Sequence, residues 1–237
     1  MKRSDCQPHA CAACTAGHSG VFADLAPREM ALIDGVKGCR RYAKGEMIFH
    51  VDEYPPGLYC VHSGKVKIFK VGKDGREQIV RLAKEGDIIG YRSLISGERY
   101  SAYAVPMEDS DICLIPKDTF LSILTSSSTL STRMLSLLSH DLKTAEERLV
   151  EMAQKPVRER VAETLLLLKE TYGVEPDGAT LNIRLTRAEL ATLVGTATES
   201  VSRMLSKLQQ ERTIDMHGRT ITITNPGALT IAANIGD

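Results

Sequence analysis

The 24 residues from 184 to 207, RLTRAELATLVGTATESVSRMLSK, constrain this chain more than any other stretch. Ala188, Leu190, Ala191 and Val194 fall at helical spacing, and so do Val201, Met204, Leu205 and Leu208; the spacing predicts two short helices, each with one apolar stripe. Gly195 marks a turn of about three residues between them, the spacing of a helix-turn-helix. Each helix opens with a threonine followed three residues later by a glutamate, Thr186 with Glu189 and Thr196 with Glu199. That is the capping box, in which the hydroxyl accepts from an orphan backbone N–H and the carboxylate accepts from the threonine amide.

On the second helix Glu199, Ser202 and Arg203 share a face opposite the apolar stripe. An acceptor, a hydroxyl and a guanidinium on one face suit the reading of base edges in a major groove, where Arg pairs bidentately with guanine and Glu accepts from the cytosine amine. The plain alternative is a solvated face on a surface helix. Residues 214–224 favour the groove-reading face: Ile214-Asp215-Met216, a turn at His217-Gly218, then the alternating Arg219-Thr220-Ile221-Thr222-Ile223-Thr224 read as a small hairpin, or wing. A winged helix-turn-helix is therefore expected at the C-terminal end, with Thr186, Thr196, Thr198, Glu199, Ser202, Arg203 and Arg219 as its candidate DNA-binding residues.

Charge adds little to that case. The 237 residues are enough for two domains and carry a formal net charge of zero. Between residues 184 and 219 six Lys/Arg stand against four Asp/Glu, a mild local surplus. No apolar run approaches the roughly 18 residues of a membrane span, and Met1-Lys2-Arg3 leads into polar sequence without the apolar region of a signal peptide. A cytoplasmic protein is expected, with no membrane partner. In that reducing compartment the six cysteines are expected to be metal ligands, redox thiols or core residues and not disulfides.

Three cysteines and two histidines, Cys6, His9, Cys11, Cys14 and His18, fall within thirteen residues that have almost no apolar bulk. Soft thiolates select iron–sulfur clusters or zinc, and the spacing C-x4-C-x2-C occurs in [2Fe–2S] ligation with a fourth Cys elsewhere. A closed zinc site would use Cys6, Cys11, Cys14 and either His9 or His18. An arm without metal is the third reading.

Residues 22–39 are expected to hold a short helix with Leu25, Met30 and Ile33 inward. From 40 to 120 the period becomes two: Met47-Ile48-Phe49, residues 57–62, 65–71 and 78–82 read as strands, separated by Gly- and Pro-containing turns at 44–45, 55–57, 63–64, 73–75, 85–87 and 96–97. Many short strands at this spacing imply a small antiparallel sandwich or barrel. From Ser127 the period is helical again, and Leu135, Leu138, Leu142, Ala145, Leu149 and Met152 form an a/d seam. Such a seam either packs within the chain or forms a two-fold dimer interface, which suits a reader of paired half-sites. Pro156 ends the helix, and Val161, Leu165 and Leu168 mark the inward side of the next. The fold class expected is α+β, with an arm at 1–22, a sensor of strands at 23–125, a dimerisation helix at 126–155 and a DNA-binding domain at 156–237.

Three motifs carry a resemblance to a known family: Lys44-Gly45-Glu46 through His62-Ser63-Gly64, the turn Glu85-Gly86-Asp87-Ile88-Ile89-Gly90, and Glu199-x-x-Ser202-Arg203. The chain resembles, over essentially its whole length, the CRP/FNR family of bacterial transcription regulators, which implies an antiparallel β-roll of the cyclic-nucleotide-binding type, a homodimer, double-stranded palindromic DNA and RNA polymerase as partners, and no catalysis. The FNR branch implies that Glu199, Ser202 and Arg203 read a TTGAT-type half-site. In the cAMP-binding branch a Gly-Glu and an Arg-Ser pair hold ribose and phosphate; here those places read Gly90-Tyr91 and Tyr100-Ser101, with Arg99 displaced by one, which disfavours a cyclic nucleotide. The FNR oxygen sensors hold a [4Fe–4S] cluster on three N-terminal cysteines and one in the β-roll. The resemblance assigns these roles to Cys11, Cys14 and Cys113, the last in Asp111-Ile112-Cys113-Leu114-Ile115-Pro116, with Cys6 standing in for a third N-terminal cysteine whose usual place is Gly20. A [4Fe–4S] cluster sensing oxygen or nitric oxide is thus preferred to [2Fe–2S], with zinc as the alternative, and Cys39 and Cys60 are expected to be core or spare thiols. Two rivals differ in class. One is a regulator with a haem or small-molecule effector in the β-roll. The other is an enzyme with a cupin-like metal site, for which His50 and His62, the sole histidines of residues 40–120, provide no motif.

Overall fold

The computed structural model describes residue 11, residues 14–18 and residues 20–234. They form two compact units divided between Leu142 and Lys143.

In the first unit α1 (Thr15–His18) and α2 (Pro27–Val36) lead into β1 (Gly38–Tyr42), β2 (Gly57–Ser63), β3 (Lys65–Val71), β4 (Glu77–Lys84) and β5 (Ile88–Ile89). Then come α3 (Tyr91–Ser96), β6 (Tyr103–Pro106), β7 (Ser110–Pro116), α4 (Lys117–Ser126) and the long α5 (Ser128–Gln154). The strands make two antiparallel sheets, ordered β1-β7-β2-β5 and β4-β3-β6. Alternation along β2 and β7 explains why the four-stranded sheet is covered on both faces. Tyr59, Val61 and Ile112 point into a core shared with Val66, Ile68 and Ala83 of the other sheet. Leu58, Cys60, Cys113 and Ile115 point to the opposite side, where they meet Phe22, Ile33, Phe120, Leu130 and Met134 from the helical elements and the arm. The β-roll with a helix-covered face is the sandwich that the period-two pattern implies.

Three local expectations are corrected. The helix expected over 22–39 is confined to Pro27–Val36, because the proline sets its first turn and Lys37 adopts extended backbone at its end. Residues 38–42 then form a strand that GCRRY, with no apolar alternation, does not advertise. Met47-Ile48-Phe49 contributes only an isolated bridge, Phe49 to Ala104.

The second unit continues α5 and holds α6 (Val157–Tyr172), α7 (Arg187–Val194), α8 (Thr198–Gln210), β8 (Ile214–His217), β9 (Thr220–Ile223) and α9 (Pro226–Ala232). Pro156 separates α5 from α6, as its missing donor requires. Val161, Leu165 and Leu168 of α6 are buried, as are Leu190, Val194, Val201, Leu205 and Leu208. No described helix is long and apolar enough to cross a membrane.

Candidate functional site

Two groups of residues concern function, one in each unit. In the second unit α7 begins at Thr186, whose Oγ1 accepts from the Glu189 amide at 3.1 Å while Glu189 Oε2 accepts from the Thr186 amide at 2.8 Å. α7 ends at Gly195, which sits at φ 70°, a backbone conformation open to glycine without strain. There the amides of Gly195 and Thr196 both donate to Ala191 O, at 2.9 and 3.1 Å. Arg160 of α6 donates from Nη1 to the carbonyls of Val194 and Gly195, at 2.9 and 3.4 Å. A cation on the last carbonyls of a helix opposes the negative end of its dipole, and so holds the turn that aims α8. No sequence pattern near the turn signals Arg160, which lies 34 residues upstream.

The second expected capping box does not form. α8 takes Ala197 as its N-cap, without a side-chain hydrogen bond, so Glu199 stands at the second helical position and not the third that the box requires. One residue of slip therefore separates Glu199 from Thr196. Val201, Leu205 and Leu208 are buried and Met204 is half-buried, while Glu199 and Arg203 are exposed and Ser202 is half-buried on the other side of α8. Thr196 and Thr198 are half-buried at its start, and Thr186 is half-buried at the start of α7. Ala188, expected in the apolar stripe of α7, is exposed. β8 and β9 pair from Ile214 opposite Ile223 to His217 opposite Thr220, which leaves Gly218 and the exposed Arg219 in the two-residue turn of the wing. Arg158 of α6 ties the end of α8 to this unit by a bidentate pair, its Nη1 and Nη2 donating to Glu211 at 2.8 and 2.6 Å.

The expected seam of α5 is divided. Leu138 packs against the first unit's core, whereas Leu135, Leu142, Leu149 and Met152 are 65, 61, 70 and 43% exposed and Ala145 is exposed.

The first unit contains the cysteines. Register places Cys39 opposite Cys113 on β1 and β7, and Cys113 opposite Cys60 on β7 and β2. Residues facing each other across strands project to the same side, so the three form a row across adjacent strands on the helix-facing side of the sheet. Cys11 and Cys14 of the arm line one cleft with Cys60, Cys113, Lys37 and His62. Lys37 Nζ donates to Cys11 Sγ at 2.9 Å and to Asp34 at 2.5 Å, and the Cys11 amide donates to Asp34 at 2.8 Å. Cys14 Sγ lies 3.4 Å from His62 Nδ1. Burial pushes the Cys11 thiol up to about 11 against the pull of Lys37; burial, then the neighbouring Cys11 and Cys14, push Cys60 higher still.

Three expectations about these cysteines are corrected. Cys113 is joined to Cys39 in a disulfide with Cα atoms 4.0 Å apart, so Cys113 is not a free thiolate, Cys39 is not a spare thiol, and the chain is not free of disulfides. The reason is register, which brings together two residues 74 positions apart. Cys11, Cys14 and Cys60 are free. Cys6 and His9 lie outside the described residues, as does the side chain of His18. Among the described residues no three His, Cys, Asp and Glu side chains are grouped to hold a metal ion.

A second cleft, within the β-roll, is lined by Phe49, Arg81, Tyr91, Arg92 and Tyr100. Phe49 and Tyr100 stack within it with ring centroids 4.0 Å apart. Tyr91 receives a hydrogen bond from Arg81 Nη1 at 2.5 Å and donates to Asp141 of α5. Where the cAMP-binding pattern has a glutamate for the ribose, this chain has a phenol committed to α5.

Residues 39–127 match the family model of the cyclic nucleotide-binding domain, and residues 159–230 match that of the Crp-like helix-turn-helix domain. The chain is 31% identical over 212 residues to the cyclic AMP receptor protein of Thermus thermophilus, covering 89% of this chain and 95% of that relative. It is 26% identical over 195 residues to the fumarate and nitrate reduction regulatory protein of Vibrio cholerae, covering 81% and 77%. The solved structure of FixK2 from Bradyrhizobium japonicum superposes with a TM-score of 0.77 at 25% identity, over 85% of this chain and all of that one.

Proposed function

The chain belongs to the CRP/FNR family of DNA-binding transcription regulators, and from that premise we propose that it is a cytoplasmic homodimer that reads a palindromic TTGAT-type site and answers oxygen or nitric oxide through an iron–sulfur cluster. RNA polymerase is the downstream partner of this reading.

The observation that carries the sensory part is the convergence of four cysteines from distant parts of the sequence, Cys11, Cys14, Cys60 and Cys113, on one cleft. Buried cysteines serve elsewhere as small apolar residues, and Cys60 alone would be one. The thiols of Cys11, Cys14 and Cys60 line this cleft with Cys113, which joins them as a donor only once its bond to Cys39 is opened; soft donors of this kind suit iron–sulfur chemistry and, second, zinc. Cys6, Cys11 and Cys14 would hold the cluster together with Cys113 in its thiol form, and Cys60 offers a further thiol on the same wall. Once bound, the cluster supplies a centre that oxygen and nitric oxide can degrade. Lys37 and His62 would act on the ligands themselves: each places a nitrogen against one arm sulfur, and hydrogen bonds of this kind orient and tune metal-bound groups.

The reading of DNA rests on α8. Glu199, Ser202 and Arg203 stand on its outer face, opposite Val201, Leu205 and Leu208, and Arg219 on the wing adds a cation for the phosphate backbone. Self-association is supported by the exposed leucines of α5, a stripe of apolar surface that a second copy would cover.

Anisotropy titration of a labelled duplex carrying two TTGAT-type half-sites one helical turn apart, with protein kept from oxygen and then exposed to air, tests the whole reading. The expected result is specific binding that changes on exposure. Equal affinity for this duplex and a scrambled one would overturn the site; an unchanged affinity in air would overturn the sensor.

A further inference from the structure

We infer that Cys39 and Cys113 constitute a separate thiol–disulfide redox site whose oxidant is a peroxide, and that its closure withdraws Cys113 from the cysteines available to a cluster. The consequence for the cluster rests on the reading proposed above; the redox chemistry does not.

The site arises from the order of the sheet. Cys113 lies on β7, flanked on one side by Cys39 of β1 and on the other by Cys60 of β2, both directly across from it. Register therefore sets a cysteine on either side of it, and the arm cysteines line the same cleft. The pair that is bonded is Cys39 with Cys113, and Cys60 is free. Accessibility gives that choice a physical basis. β1 is the outermost strand of its sheet and Cys39 is half-buried, whereas Cys60 and Cys113 are buried. A dissolved oxidant meets Cys39 first.

Oxidation takes two steps. The Cys39 thiolate attacks one oxygen of hydrogen peroxide, the O–O bond breaks, and the departing hydroxide takes a proton to leave as water, giving a sulfenic acid on Cys39. The Cys113 thiolate then attacks the Cys39 sulfur, the S–O bond breaks, and the second hydroxide leaves as water with another proton. Two thiols have lost two electrons and two protons in total, and one peroxide has become two waters. A sulfur so bonded is not a thiolate, the only form that ligates metal. One sulfur thus serves either of two sites, never both. Oxidation and cluster occupancy compete for Cys113.

Differential alkylation of the full-length chain tests this. Protein reduced and handled without oxygen is treated with hydrogen peroxide, denatured in a light alkylating reagent, reduced, labelled with a heavy one, and mapped by peptide mass; iron and sulfide are measured in parallel after anaerobic reconstitution with iron and sulfide salts. The expected result is that Cys39 and Cys113 shift together to the heavy label while Cys60 keeps the light one, and that peroxide-treated protein takes up iron only after a thiol reductant is added. C39S and C39A should leave Cys113 light-labelled and take up iron after peroxide without reductant. Light labelling of both Cys39 and Cys113 in peroxide-treated protein, or pairing of Cys113 with Cys60, overturns the proposal. If the pair forms but no variant ever takes up iron, the redox site stands and the cluster reading fails.

Discussion

In the proposed reading of DNA, Arg203 is the residue that is asked to do most. It projects from α8 into solvent one turn from Glu199, and a guanidinium bidentate to guanine discriminates against the wrong base by about 1–3 kcal/mol. Arg203→Ala should lower affinity for a matched half-site by roughly that amount and leave binding to unrelated duplex nearly unchanged; equal losses on both would reduce Arg203 to a phosphate contact. A second prediction concerns pH. The Arg158 guanidinium holds the Glu211 carboxyl below the usual carboxylate range. A carboxyl lowered on folding adds stability above its unfolded value of about 4.3 and loses it as pH falls through the folded value. Glu211→Gln should thus melt earlier than the parent at neutral pH, the gap closing as pH falls below the unfolded value and through the lower folded one; a gap that persists in strong acid would mean the pair is not electrostatic. At this scale the sequence was legible wherever residues share one helix: Glu199, Ser202 and Arg203 lie together because of helical periodicity alone. It was opaque at Cys39, Cys60 and Arg160, whose partners are set by strand register and helix packing across long separations, which no local pattern encodes. Position within a helix start was also beyond it, since a slip of one residue detached Glu199 from Thr196.

Among the elements, α5 is the one whose surface is unfinished. A heptad seam on a 27-residue helix was readable from spacing, and so was its end at Pro156. What spacing did not tell is that Leu138 is used inside the first unit while Leu135, Leu142 and Leu149 are left in water. Three large aliphatic side chains in solvent are costly at about 1.5–3 kcal/mol each relative to burial, and a two-fold partner removes that cost for both copies at once. Leu142→Glu combined with Leu149→Glu should convert the protein to a monomer in sedimentation equilibrium, with the helix content of the parent retained; a dimer of undiminished stability would place the interface elsewhere. Short elements escaped the sequence for a simple reason. Two-residue β5 and six-residue α3 are too brief to show a period, and β1 packs through cysteine and tyrosine rather than through alternating aliphatics. The strands of residues 57–84 and α6, α7 and α8 of the second unit, long enough to repeat, were readable, whereas seven-residue α9 was not.

For the molecule as a whole, the two units have separate chemistry and one continuous helix, α5, passes through the boundary between them. The arm, the cysteine row and the Arg81–Tyr91–Asp141 network all belong to the first unit, and the last of these reaches α5 directly. The helix-turn-helix domain belongs to the second. On the reading proposed above, regulation is a matter of what the cysteines of the first unit hold. The most direct measurement is the absorption spectrum, with iron and sulfide content, of protein purified without oxygen, taken before and after air on the same sample used for the DNA titration. A cluster on these cysteines predicts a brown protein with iron and sulfide in equal amounts, bleaching in air together with a change in affinity for the TTGAT-type duplex. A colourless protein without iron, or one holding only zinc, that binds its site equally well before and after air would contradict it.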